Sequence, residues 1–85
     1  MKYRKKPVVV EAMQYTVESA ESLNEWLKDY RVNYQPAVFG PVMGLIPTWE
    51  GIMEATPGDW IIRGIKGEFY ACKPDIFDLT YEAIE

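Results

Sequence analysis

The hydrophobic and polar positions alternate between short β-prone runs and one segment with helical spacing. Val8-Val9-Val10-Glu11-Ala12-Met13-Gln14-Tyr15 is rich in β-branched residues and follows Pro7, which bars a helix from running through the start, so it predicts a first strand. Val8, Val10 and Ala12 line one side and Val9, Met13 and Tyr15 the other; a strand apolar on both sides suits a central position in a sheet. The period then changes. Ala20, Leu23, Leu27 and Tyr30 recur at spacings of three, four and three. Thr16 or Ser19 is available as a cap, Glu18 and Glu21 suit the positive end, and Lys28 and Arg31 suit the other, which predicts one amphipathic helix over residues 17–30.

Residues 31–41 contain Asn33, Gln35, Pro36, Gly40 and Pro41, which break regular structure around a short strand candidate, Val38-Phe39. A connection of this length in a small domain belongs to a mobile segment or to a binding rim. Val42-Met43-Gly44-Leu45-Ile46-Pro47-Thr48-Trp49 reads as a strand that Pro47 places at an edge or a bulge, and Glu50-Gly51 turns it back into Ile52-Met53-Glu54-Ala55. Pro57 fixes φ for the second position of a turn, and Gly58 supplies the positive φ that a type II turn needs next. Trp60, Ile61, Ile62 and Ile65 favour a pleated surface. Lys66-Gly67 reverses the chain into Glu68-Phe69-Tyr70-Ala71-Cys72, giving an antiparallel hairpin. Trp60, Ile62 and Gly64 share one face; Ile61, Arg63 and Ile65 share the other, and Arg63 marks the latter as the face turned to solvent or a ligand.

After this hairpin, Pro74 suits a first helical turn, Asp75 a cap, and Ile76, Phe77 and Leu79 an inward face; Tyr81-Glu82-Ala83-Ile84-Glu85 then extends along the first strand. The whole reads as a single α+β domain over residues 1–85. An antiparallel β-sheet, with residues 42–73 as a four-stranded meander, packs against one amphipathic helix and is followed by a short C-terminal helix.

Composition narrows the chemistry. A chain of 85 residues sits near the size at which one core barely suffices, so a homo-oligomer is expected. Hydrophobic residues make up 48% and aromatics 14%, too rich a mixture for disorder. There is no histidine and one cysteine, Cys72, so a Ser-His or Cys-His pair and most zinc sites are excluded within one chain, and a reducing cytoplasm fits best. The net charge is −4, but Lys2, Arg4, Lys5 and Lys6 place four of the nine basic residues in the first six positions. The other 79 residues carry five basic and thirteen acidic groups, a balance that repels a long phosphate backbone and argues against general nucleic-acid binding. Glu11 and Gln14 interrupt any signal-peptide core, and no run of about 18 apolar residues is present to cross a bilayer, so no membrane association is expected.

Lys2-Tyr3-Arg4-Lys5-Lys6-Pro7-Val8-Val9-Val10-Glu11-Ala12, Pro57-Gly58-Asp59-Trp60 through Asp75-Ile76-Phe77, and Thr80-Tyr81-Glu82 resemble a family of small proteins common in tailed phages and prophages. The resemblance covers about half of the chain and brings no established reaction. In length and in its closing acidic and aromatic segment the chain is also similar to small phage proteins that sequester nucleotide immune signals. That likeness implies a non-catalytic protein of the host cytoplasm, with no cofactor, that holds a cyclic-nucleotide or ADP-ribose signal.

The residues themselves give binding better material than catalysis. Cys72 has no histidine to activate it, although Lys73 or Arg63 would lower its pKa. Asp59 sits in a turn, where a carboxylate commonly bonds nearby backbone, and Asp75 and Asp78 at a helix start need no metal to explain them. Glu21, Glu25 and Asp29 form an acidic stripe at spacings of four, which on an exposed face is ordinarily solvated. Arg63, Lys66 and Lys73, by contrast, lie on or beside one hairpin with Trp60, Phe69 and Tyr70; Trp49 offers a further ring and Arg4 a cation from the basic arm. Guanidinium and ammonium groups pair with phosphate, and rings stack on a base. These eight residues form the candidate site for a nucleotide-like anionic small molecule. The alternatives are a protein-interaction module that meets a host or virion protein through the acidic helix face and, more remotely, a carboxylate-based hydrolase. In the bland reading, the aromatics are core and the cations solubilise the hairpin.

Overall fold

A corner at Thr56-Pro57-Gly58-Asp59 divides the strands into two sheets instead of joining them into one. The computed structural model describes residues 1–28, 38–40, 43–48 and 51–84. In chain order its elements are β1 (Glu11–Gln14), α1 (Ala20–Leu27), β2 (Val38–Phe39), β3 (Gly44–Thr48), β4 (Gly51–Ala55), β5 (Trp60–Arg63), β6 (Phe69–Cys72) and α2 (Pro74–Thr80). All four strand pairings are antiparallel, and the α+β class with one amphipathic helix and a short C-terminal helix is what is observed. The strands fall into two three-stranded sheets, β1-β5-β6 and β2-β3-β4. The expected four-stranded meander is therefore broken between β4 and β5, because β1 takes the side of β5 that β4 would have occupied. The first strand is accordingly an edge strand and not a central one. Its apolar residues 8–10 lie outside it, and residues 81–84 form no strand beside it. The expectations for Asp29 and Tyr30, for residues 31–37, for Pro41 and Val42, for Trp49 and Glu50, and for Glu85 lie outside the described residues.

The corner is chemically specified. Gly58 adopts φ +104°, a conformation that favours glycine, and the Asp59 N–H donates to the Thr56 carbonyl at 3.0 Å to close the turn. The Asp59 carboxylate is buried and accepts the Thr56 N–H at 3.0 Å, while Lys73 from the end of β6 reaches it at 3.2 Å. On the facing strand Tyr15 donates its N–H to Asp59 at 2.8 Å and accepts that of Gly58 at 2.7 Å. One short turn is thereby tied to β1, β5 and the β6–α2 junction.

The core lies between the two sheets and α1. Tyr15, Leu23, Leu27, Phe39, Ile46, Ala55, Ile61 and Phe69 are buried in one cluster, with Met13, Ala20, Trp26 and Ala71 packed against it. The helix contributes its predicted Ala20, Leu23 and Leu27 face. Register places Met13, Ile61 and Ala71 side by side, and Glu11, Arg63 and Phe69 likewise. The face that bears Arg63 is thus the core face, contrary to the expectation that it meets solvent; Arg63 escapes only because it ends the strand. The opposite face carries Ala12, Ile62 and Tyr70 and, one register step on, Gln14, Trp60 and Cys72. There Ile62 is fully buried and Trp60 half-buried, with Phe77 of α2 stacked on it. Of the residues expected to pack inward from α2, Ile76 and Leu79 remain 51% and 85% exposed, so Phe77 alone anchors the helix.

Side chains close two exposed backbone positions. Asn24 of α1 donates its amide to the Phe39 carbonyl at 3.0 Å and accepts the Phe39 N–H at 2.8 Å, standing in for a neighbouring strand along β2. Ser19 forms no side-chain cap on α1; its hydroxyl accepts the Thr16 N–H at 2.8 Å and donates to the Gln14 carbonyl at 2.7 Å, fixing the link from β1 to the helix.

Two stability predictions follow from these ties. Asn24→Ala leaves the N–H and C=O of Phe39 unpaired and should cost about 2 kcal/mol in urea unfolding; a loss below about 0.5 kcal/mol contradicts the strand-mimic role. Asp59→Ala should cost about 2–3 kcal/mol. Lys73→Met, whose side chain is 64% exposed against 5% for Asp59, should cost about 1 kcal/mol or less in the same assay. The reverse order would place the stabilisation in the ion pair and not in the turn.

Candidate ligand-binding groove

The hairpin that the sequence singled out does not gather its cations. Arg63 and Lys73 stand at opposite ends of the β5–β6 pair, about 13 Å apart along strands that rise about 3.3 Å per residue. The guanidinium of Arg63 lies 2.9 Å from the Glu11 carboxylate, its register partner on β1. Lys73 is held by Asp59, as described above. Lys66 is exposed at the hairpin tip, where its N–H donates to the Glu68 carboxylate at 2.9 Å. Phe69 is in the core, with its ring 5.3 Å from that of Trp26 in an edge-to-face contact, so it is not available to stack on a ligand. Trp49 lies outside the described residues. Lys66, Phe69 and Tyr70 do share a cavity of about 420 Å³ with Thr48, Met53, Ile65 and Glu68, but it holds a carboxylate as well as a lysine and its walls are mainly apolar.

A larger groove forms on the other side of β5, where rings and positive charge do meet. Its volume is about 670 Å³, and it runs between the basic arm (Lys5, Lys6 and residues 7–10) and the C-terminal segment, over Trp60, Phe77 and Tyr81. Trp60 and Phe77 stack in parallel with centroids 4.2 Å apart and planes 4° from parallel; Phe77 and Tyr81 stack at 5.0 Å and 29°. The ammonium of Lys5 sits 5.3 Å from the centroid of Tyr81, within the range of a cation–π contact. The rings arise from simple local rules. Trp60 is on the outer face of β5 by strand alternation, and Phe77 and Tyr81 are four residues apart, which brings them onto one side of α2 and its exit. Pro74 starts that helix without a side-chain cap, and the Tyr81 N–H closes it by donating to Phe77 at 2.9 Å.

Of the seven predicted residues that are described, only Trp60 lines this groove. Arg4 belongs to the same basic arm and is exposed one residue before Lys5. Tyr70 touches the groove's aromatic system indirectly, through a 3.3 Å hydrogen bond between its hydroxyl and that of Tyr81. Lys5, Lys6, Phe77 and Tyr81 were not among the predicted site residues. The signal that marks them is the spacing of Phe77 and Tyr81 and the clustering of the arm's lysines, both present in the sequence, where Phe77 reads as an inward-facing helix residue and Tyr81 as the start of an extended segment.

What the groove can do follows from its contents. At 4.2 Å the Trp60–Phe77 gap is already filled by ring contact, so a planar ligand would stack on Tyr81 and not between rings. Lys5 and Lys6 supply two positive charges at the rim, opposed by Glu82. Cys72 lies off the groove; burial first, then the carboxylates of Asp59 and Asp75, push its thiol up, so it is not the activated thiolate that Lys73 or Arg63 would have made. Among the described residues no cluster of three metal-ligating side chains occurs and no helix is long and apolar enough to cross a membrane. Searches against protein-family models, curated proteins and solved structures find no match to this chain.

The phenols give this region a pH signature. Burial, then the hydrogen bond to Tyr81, raise the pKa of Tyr70, and burial raises that of Tyr15 against the opposing effect of its bond to the Gly40 carbonyl. An unfolded tyrosine ionises near pH 10, below either folded phenol, so their contribution is intact below about pH 10 and is lost as the pH rises further, when the unfolded chain sheds its protons first. Urea unfolding from pH 8 to 11 should therefore show a fall above pH 10 that is shallower in Tyr70→Phe; an unchanged slope would mean that Tyr70 ionises as freely folded as unfolded.

Proposed function

We propose that the protein binds a nucleotide-like anionic small molecule in the groove between its basic arm and its C-terminal segment, and holds it without chemical turnover. The observation that carries this reading is the lysine stationed over a stacked ring: Lys5 above Tyr81, with Lys6 beside it, on a floor that includes Trp60 and Phe77. A phosphate attracts the same ammonium that now rests on Tyr81, and the ring so vacated accepts a base, with stacking worth about 1–3 kcal/mol. The volume of the groove falls within the range of small-ligand sites, about 300–1,000 Å³. The acidic body discourages a long nucleic acid but leaves the arm able to pair with a few phosphates.

In this reading the protein is a phage product of the infected host's cytoplasm, and its ligand is a defence signal of the cyclic-nucleotide or ADP-ribose class. The phage origin draws on the family resemblance, and the class of ligand on the likeness in length and in the closing acidic and aromatic segment to small phage proteins that sequester nucleotide signals. Sequestration requires tight burial and no nucleophile, a demand that a chain without histidine meets.

Isothermal titration with cyclic dinucleotides, cyclic ADP-ribose and ADP-ribose should give saturable heat with at least one of them. Lys5→Ala and Tyr81→Leu should each weaken that binding about tenfold or more. Lys5→Ala, at an exposed position, should leave the melting temperature unchanged. No heat and no thermal shift across the panel would sink the proposal, as would binding indifferent to both substitutions.

A further inference from the structure

Three consecutive β-branched residues, Val8, Val9 and Val10, lead directly into β1 yet belong to no strand. The reason is the length of the partner. Glu11 is paired with Arg63, the last residue of β5, and the chain then turns at Gly64, whose N–H donates to Glu68 at 2.7 Å. Residues 8–10 therefore run past the end of β5 with no strand paired to them among the described residues. Val8 and Val9 are 45% and 73% exposed.

The direction of the backbone on this strand can be read from its bonds. Tyr15 exchanges hydrogen bonds with Asp59 and Gly58, so odd-numbered groups point toward β5. Even-numbered groups point away, as Gln14 shows by offering its carbonyl to Ser19. An extension in the same geometry turns the N–H and C=O of Val8, Val10 and Ala12 to the open side of β1. Pro7 is odd-numbered, so its missing N–H falls on the side where no bond to a new strand is made. Other strand edges are attended to by side chains: Asn24 serves Phe39 on β2, and Met53 takes the Ala71 N–H of β6 on its sulfur at 3.1 Å. No described strand lies on the open side of β1.

We infer that this edge pairs with the same edge of a second copy, antiparallel about a two-fold axis near Val10, to make one continuous six-stranded sheet. The edge is self-complementary. With Val10 opposite Val10, Val8 meets Ala12 and all three outward residues find bonding partners. Charge favours the same register. It carries the arm of one copy along residues 14–18 of the other, setting Lys2 opposite Glu18 and near Glu21, both exposed at the acidic start of α1. A two-fold pair uses up both edges, so the association closes at two and does not propagate. This inference is independent of the ligand reading. It places the two grooves on the same face of the shared sheet, because the side chains of Val8, Val10 and Ala12 that line each groove lie on the Trp60 face.

Sedimentation velocity on the intact chain from about 1 µM to about 1 mM should show a reversible rise to twice 9.8 kDa. Val10→Pro removes an outward N–H and should raise the dimer dissociation constant about tenfold or more, whereas Val9→Pro, whose nitrogen faces the other way like that of Pro7, should leave the dimer in place. Circular dichroism checks that both variants fold. Amide exchange on the unaltered chain decides independently: the Val8, Val10 and Ala12 amides should become protected with rising concentration, and the Val9 amide should not. A single-chain mass throughout, or a dimer that keeps its affinity in Val10→Pro and protects other amides, overturns the inference.

Discussion

Four residues, Trp60, Ile61, Ile62 and Arg63, are required to serve two layers at once. β5 is hydrogen-bonded on both sides, to β1 and to β6, and is buried on both faces, with Ile61 in the core beneath α1 and Ile62 fully enclosed on the other side. Burying two isoleucines completely is worth about 3–6 kcal/mol together, a large share of the net stability of a small domain. Because the strand is so short, everything aligned with it inherits its length: β1 and β6 are also four residues each. What lies beyond those four residues, the basic arm at one end and the α2 exit at the other, is left outside the sheets, and the groove is made from that remainder.

The same economy explains where positive charge survives. In the body, acidic residues outnumber basic ones, and each described cation there lies near a carboxylate or its loop: Lys28 with Glu25 at 3.0 Å, Arg63 with Glu11, Lys73 with Asp59, and Lys66 beside Glu68. Most of these pairs are exposed and add little stability, but they cancel field locally. Among the described residues, no carboxylate pairs with the four cations of the arm. Positive charge suited to an anion therefore lies away from the hairpin that carries the most conspicuous motif, toward the N-terminus, although the rings that would accompany it are supplied by β5, α2 and the exit of α2.

Much of the fold was legible because it is written locally. Pro57 and Gly58 specify a turn, Ala20, Leu23 and Leu27 specify a helix face, and the β5–β6 hairpin closes around Gly67 at φ +82°. The division into two sheets was not legible, since the turn chemistry that joins hairpin strands also makes a corner; which of the two forms depends on whether β1 arrives from 45 residues away to claim the edge. The orientation of β5 was misread for a related reason. A charged residue at the end of a strand says little about which face is wet, because it can reach around the rim to a partner such as Glu11. The site was legible in kind, cations with rings, but misplaced in position: Phe69 had the composition of a stacking residue and the register of a core residue, while Phe77 looked like the packing of a closing helix and Tyr81 like part of an added strand, and the two instead present a ring stack beside the arm.

Construction from terminal segments has a thermodynamic consequence for the proposed binding. Fixing backbone costs about 1–2 kcal/mol per residue, so a ligand that must order the arm from Lys5 to Val10 spends several kcal/mol before any affinity appears. Pairing of residues 8–10 with a second copy would order half of that segment in advance. Dimerisation and ligand binding then draw on the same conformational entropy, and each lowers the cost of the other, a coupling that must be reciprocal. A domain too small to wall a pocket rigidly by itself thus has a route to a preorganised one: the sheet edge left over by a four-residue strand supplies the scaffold that its own core does not.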